Sequence, residues 1–158
     1  MKPQAFAVGN YRVRLGEDGR IRLPVEWRRL FATSKAPVFM LVPKGCNYVK
    51  MVPGDRARKI TRVLRARAEP HIPADPQGQE MIKDVREMME GAMYITIRSE
   101  GRLTIPRALR ERVGLSGKVV LAGCFDAAQI WSYASWKNEG ARMQSAASHV
   151  VDYFMKGI

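Results

Sequence analysis

Six arginines stand at related places in two stretches of this chain, and their chemistry is that of anion binding. Arg12, Arg14, Arg20 and Arg22 lie in Tyr11-Arg12-Val13-Arg14-Leu15 and Gly19-Arg20-Ile21-Arg22-Leu23-Pro24. Arg98 and Arg102 lie in Ile95-Thr96-Ile97-Arg98 and Gly101-Arg102-Leu103-Thr104-Ile105-Pro106. Polar and apolar residues alternate in every segment, which puts these arginines on the outer face of strands whose other face is apolar. A guanidinium offers a planar fork of donors suited to phosphates and guanine edges, and a two-stranded ribbon fits the major groove of DNA. These six residues are the candidate DNA-binding set. A plain solvated face is the competing reading of the same alternation.

The elements that would position them repeat. The two hexapeptides begin at Gly19 and Gly101, 82 residues apart. In the first copy Glu17-Asp18-Gly19 reads as a three-residue hairpin loop, with Gly19 in the left-handed position. That register sets Leu15 against Ile21 and Val13 against Leu23 on the buried side, with Arg14 opposite Arg22 outside. In the second copy Ser99-Glu100-Gly101 forms the loop, Ile97 meets Leu103, Ile95 meets Ile105, and Arg98 stands across from Arg102. Like charges directly opposite on a hairpin repel, and an anion between them is the simplest compensation.

Pro24 and Pro106 suit the first positions of helices over Val25–Phe31 and Arg107–Val113. Trp27, Leu30 and Phe31 face inward in the first of these, and Leu109 and Val113 in the second; Gly114 is a helix stop. Strands follow over Val38–Val42 and Tyr48–Val52, then over Val119–Ala122 and Ala128–Trp131. One such unit is too small to enclose a core, so two copies share one. Between the copies, Arg56–Ala68 carries a stripe of Ala57, Ile60, Val63, Leu64 and Ala68, with five arginines and a lysine around it. Gln79–Glu90 carries Met81, Ile82, Val85, Met88 and Met89 on one stripe. The two helices flank a proline-studded connector, Glu69–Pro76. Trp136, Met143, Ala147, Val150 and Phe154 recur at helical spacing afterwards. The expected organisation is a first half over 10–55, a helical connector over 56–91, a second half over 92–137 and a helical tail over 138–158.

Composition supports the same direction. The chain has 158 residues, 46% of them hydrophobic, and a formal net charge of +12. Residues 1–78 hold 16 basic and 6 acidic side chains, residues 79–158 hold 11 and 9. This balance favours a polyanion, nucleic acid ahead of a membrane surface. No apolar run approaches the length of a membrane span, and the first residues lack the apolar segment of a signal peptide. Two cysteines, Cys46 and Cys124, each after a glycine, read as small buried thiols in a reduced cytoplasmic setting.

Catalytic chemistry has no foothold in these residues. The histidines are His71, in the proline connector, and His149, near the C-terminus. No cysteine–histidine spacing matches a zinc site, no phosphate-binding glycine loop is present, and no nucleophile stands beside a histidine. Glu17, Asp18 and Glu100, near the turns, read as loop and solubility residues. No catalytic set, metal site or cofactor is assigned, and the chain is read as a non-enzyme.

The paired Gly-Arg hexapeptides, each with its helix, resemble the motifs of the MraZ proteins, bacterial transcriptional regulators of the AbrB-like swapped-hairpin superfamily. Leu121-Ala122-Gly123-Cys124-Phe125, Ile130-Trp131 and Trp136 are similar to that family's second half. The resemblance runs from about Tyr11 to about Lys137. It implies an α+β, mainly β, fold in which two AbrB-like halves interleave their hairpins into a pseudo-dimeric small β-barrel, with helices between and after the halves. It also implies a homo-oligomeric ring bound to short repeated sites on double-stranded DNA, usually as a repressor upstream of division and cell-wall genes, in a cytoplasmic, nucleoid-associated protein. The family motif sets an acidic residue four before its arginine. Here Arg20 and Arg102 match the arginine, whereas Gly16 and Arg98 hold the acidic positions.

Two rival readings belong to other classes. One is an AbrB-type antitoxin or protein-interaction module, against which two repeats and a patterned tail count. The other is RNA binding, for which no exposed aromatic stacking set accompanies the arginines.

Overall fold

The computed structural model describes residues 6–32, 37–68 and 76–140, together with 142, 155 and 156. The connector over 69–75, His71, His149 and the tail positions Met143, Ala147, Val150 and Phe154 lie outside the described residues. So do the side chains of Ile60, Leu64, Ala68, Met81, Val85 and Met88.

The first half runs β1 (Asn10–Arg14), β2 (Arg20–Arg22), α1 (Val25–Ala32), β3 (Val38–Leu41) and β4 (Tyr48–Val52). Two helices follow, α2 (Gly54–Ala68) and α3 (Pro76–Met89). The second half runs β5 (Met93–Ile95), β6 (Arg102–Thr104), α4 (Arg107–Val113), β7 (Lys118–Gly123) and β8 (Ala128–Ser132). A helical segment over Tyr133–Ser135 then runs into a wider turn over Trp136–Gly140. The fold is thus α+β, with most strands in one antiparallel sheet.

That sheet has six strands in the order β1-β7-β8-β4-β3-β5. The order is a palindrome of the two halves. β8 and β4 meet at its centre, β7 and β3 flank them, and β1 and β5 form the edges. Each edge strand pairs with the other half: β1 with β7, and β5 with β3. β2 and β6 form a separate two-stranded ribbon. The expected interleaving of hairpins is present, but the described strands form this sheet and ribbon rather than one closed barrel.

Pairing within each hairpin, the register read from the sequence, is corrected by this exchange. Arg14 lies opposite Lys118, not Arg22, and Tyr11 and Val13 lie opposite Leu121 and Val119. Ile21 lies opposite Leu103. The physical reason is that both copies carry the same alternation, so an apolar row from the other copy satisfies β1 or β2 as well as its own would.

One core serves both halves. Ile21, Leu23, Trp27 and Phe31 from the first pack in one cluster with Leu103, Ile105, Leu109 and Val113 from the second. The Trp27 indole is fully buried, donates to the Val8 carbonyl at 2.9 Å and meets Tyr11 edge-on. On another face of the sheet, Tyr48, Val120, Ala122 and Trp131 pack with Tyr133 and Trp136.

Prolines set the helix starts. Trp27 and Arg28 amides donate to the Pro24 carbonyl, and the Arg110 amide donates to Pro106. Gly114 ends α4 at φ 65°, as a left-handed helix stop requires. α2 begins at Gly54 and α3 at Pro76, both ahead of the sequence-based starts. The first turn of α2 is anchored by Ala57, buried with Phe39, Val52 and Ala127, and by an Arg56–Asp126 ion pair.

Candidate nucleic-acid interface

The ribbon has two sharply different faces. Ile21 and Leu103 are buried at its centre, while Arg20, Arg22, Arg102 and Thr104 point outward and are exposed. Its pairing follows a pseudo-twofold through Ile21 and Leu103: Arg20 opposes Thr104 at one end, and Arg22 opposes Arg102 at the other. A cross-strand arginine pair therefore exists, but it joins the halves instead of sitting inside each hairpin. Arg98 keeps its expected neighbour through the backbone, its amide donating to the Arg102 carbonyl at 2.7 Å.

Both turns are locked by residues that the sequence reading did not single out. The Arg110 side chain donates through Nε to the Ile105 carbonyl at 2.9 Å, and Arg28 does the same to Leu23 at 3.1 Å. Arg110 lies over Gly19 and Arg28 over Gly101, each helix thereby covering the turn of the other half. A Cβ on Gly19 would stand 2.6 Å from Arg110 Nε, and one on Gly101 equally close to Arg28 Nε. Gly19 has φ 86° and Gly101 φ 72°, so both glycines are required by conformation and by space. The shared spacing of 82 residues between Arg28 and Arg110 was the one available signal.

The acidic turn residues are ion partners, which goes beyond their reading as loop residues. Asp18 pairs with Arg20 at 3.0 Å. Glu100 pairs with both Arg22 at 2.6 Å and Arg102 at 3.2 Å. All these side chains are at least half exposed, so the pairs are solvent-screened surface contacts.

The remaining candidates spread out from the ribbon. Arg14 joins Arg20 and Arg110 around an open cleft of about 750 Å³ that Ser116 and Gly117 help to line. Arg12 is exposed on the edge strand β1, its guanidinium 5.3 Å from the Tyr133 ring centre, with Lys137 near the same ring at 4.9 Å. Arg14 and Arg98 have no carboxylate partner among the described residues. The structure thus brings Arg22 and Arg102 together at one end of the ribbon and Arg14 with Arg20 in the cleft. Arg12 is engaged with Tyr133.

Burial raises the phenol of Tyr48 above its ordinary range and also raises the Cys124 thiol. Cys46 and Cys124 are half-buried free thiols. Among the described residues no group of three His, Cys, Asp or Glu side chains is placed to hold a metal ion. No described helix is long and apolar enough to cross a membrane.

Comparison with known proteins finds likenesses to one family. Residues 88–152 match the family model described as "MraZ protein, putative antitoxin-like". A protein of Thermobifida fusca named "Transcriptional regulator MraZ" is 28% identical over 155 residues, covering 96% of this chain and 98% of its own. Proteins of the same name from Syntrophomonas wolfei and Micrococcus luteus are each 27% identical, over 92% and 96% of this chain and 94% and 98% of theirs. Over its second half the chain is thus similar to the MraZ family model, and over nearly its full length it is similar to proteins named as MraZ transcriptional regulators.

Proposed function

We propose that this chain is a DNA-binding transcriptional regulator that grips short repeated sites on duplex DNA with the outer face of the β2–β6 ribbon. Arg20, Arg22, Arg98 and Arg102 contact the groove and its phosphates, and Arg12 and Arg14 extend the contact along the backbone. The two halves, 10–55 and 92–137, act as one binding unit, with 56–91 as a connector and 138–158 as a tail. The observation that carries this reading is the opposition of Arg22 and Arg102, exposed across the pseudo-twofold of a chain with net charge +12. Such opposition raises the local positive potential on a two-stranded element of the kind that fits a groove.

Following the family resemblance, the chain works as a repressor of division and cell-wall genes, in the cytoplasm and associated with the nucleoid. A homo-oligomeric ring presents several ribbons to tandem sites. Weak individual contacts then suffice, because each ribbon after the first binds at high effective concentration.

Selection from random duplex DNA tests the reading with the intact protein and with Arg20→Ala plus Arg102→Ala. The intact protein enriches a short repeated motif and the variant does not. Equal enrichment of the same sites by both would overturn the assignment. The antitoxin-like description of the matched family model favours one second reading, a module that binds a protein partner. A stoichiometric partner captured by the full chain and lost on deleting 133–158 would support it.

A further inference from the structure

The ribbon contains an anion of its own. Arg22 and Arg102 face each other across the β2–β6 register, and both donate from Nη2 to one oxygen, Oε2 of Glu100. Glu100 adopts φ 60° and ψ 25°, a left-handed conformation that a residue with a Cβ adopts at a cost. Its neighbour Gly101 is also left-handed. The tight turn over Ser99–Gly101 therefore holds this carboxylate against both guanidinium groups. At the opposite end Asp18 reaches only Arg20, because Thr104 stands where a second arginine would be. Arg22, Glu100 and Arg102 are each more than half exposed, so the three-way contact is screened and exchangeable.

We infer that Glu100 is a resident competitor for the phosphate site formed by Arg22 and Arg102. In the free protein its carboxylate takes the place of a DNA phosphate oxygen, and DNA must displace it to bind at this end of the ribbon. This rests on the DNA-binding reading above and adds a regulatory consequence to it. Glu100 lowers affinity for any duplex and so limits retention on sites that offer no further contacts. A carboxylate that only props the two arginines open for DNA would act in the opposite sense.

The test measures binding of a short random-sequence duplex by the full-length chain, its Glu100→Gln variant, its Arg22→Ala/Arg102→Ala variant and the triple variant. Glu100→Gln is expected to bind about two- to fivefold tighter, the scale of an exposed ion pair. That gain is expected to vanish in the background lacking both arginines, as a coupled pair requires. Glu100→Gly, which also removes the left-handed strain, gives the same gain with a higher melting temperature. Unchanged or weaker binding by Glu100→Gln, with the unsubstituted chain binding normally, overturns the inference alone. Failure of the unsubstituted chain to bind duplex overturns the DNA reading instead.

Discussion

At the Gly19 end of the ribbon the Ile105 amide donates to the Gly19 carbonyl, and Arg110 clamps Ile105 from above; at the Gly101 end Leu23, Gly101 and Arg28 make the same set of bonds. The backbone distances agree at 2.9 Å. The outward side chains do not agree. One end carries Arg20, Asp18 and Thr104 beside Arg14, and the other carries Arg22, Arg102 and Glu100 beside Arg98. A shared scaffold and divergent surfaces indicate that the glycine, the clamping arginine and the buried row hold the geometry. The outer positions are then free to differ in charge and so in what they bind.

The comparison can be broken most forcefully in the core. Trp27 and Leu109 occupy matching places in α1 and α4, and both are fully buried. Trp27→Ala should cost about 3–5 kcal/mol in urea unfolding, and Leu109→Ala about 2–4 kcal/mol. The larger loss is expected at Trp27, because the indole also satisfies the Val8 carbonyl. A greater loss at Leu109 would show that the halves do not share the core as described.

The turns come next. Gly19→Ala would bring a Cβ to 2.9 Å from the Ile105 carbonyl oxygen, a backbone atom that cannot easily retreat. At Gly101→Ala the three atoms nearest the new Cβ all belong to the Arg28 side chain, which can shift more easily than backbone. Thermal or urea unfolding should show about 2–3 kcal/mol lost at Gly19 and about 1–2 kcal/mol at Gly101. Equal losses would mean that the left-handed backbone alone decides the effect.

The smallest expected effect concerns the centre of the sheet, where Tyr48 pairs with Trp131 and packs with Val120, Ala122 and Trp131 on the face away from the shared core. Burial holds the folded-state phenol above its ordinary value of 10.0. The unfolded chain therefore loses this proton first, and stability present below that pH declines as pH rises above it. Tyr48→Phe should make the decline between about pH 10 and 11 shallower. An unchanged slope in urea unfolding across that range would rule out a contribution from Tyr48.

Local features were the most legible in the sequence. The Arg107–Val113 helix and the Tyr48–Val52 strand occur at their expected bounds, and Gly19 has the left-handed backbone expected of it. Period-two alternation also identified which residues face out. Partner choice was not legible from the residues: Ile21 meets an apolar neighbour whether it pairs with Leu15 or with Leu103. The two copies are degenerate in pattern, and only the family resemblance implied the exchange. Arg28 and Arg110 escaped notice because their acceptors are backbone carbonyls, which leave no mark in side-chain patterns. Glu100 escaped for a different reason. An acidic residue in a turn is ordinary, and its two partners become neighbours only once β2 and β6 pair.

The salt dependence of duplex binding tests the central claim most directly. If the ribbon arginines neutralise phosphates, log affinity should fall linearly with log salt, by about 0.9 per phosphate contacted. The Arg22→Ala/Arg102→Ala variant should then lose about 2 from the magnitude of that slope for each ribbon engaged. A flat dependence for the unsubstituted chain, or an identical slope in the variant, would contradict the account.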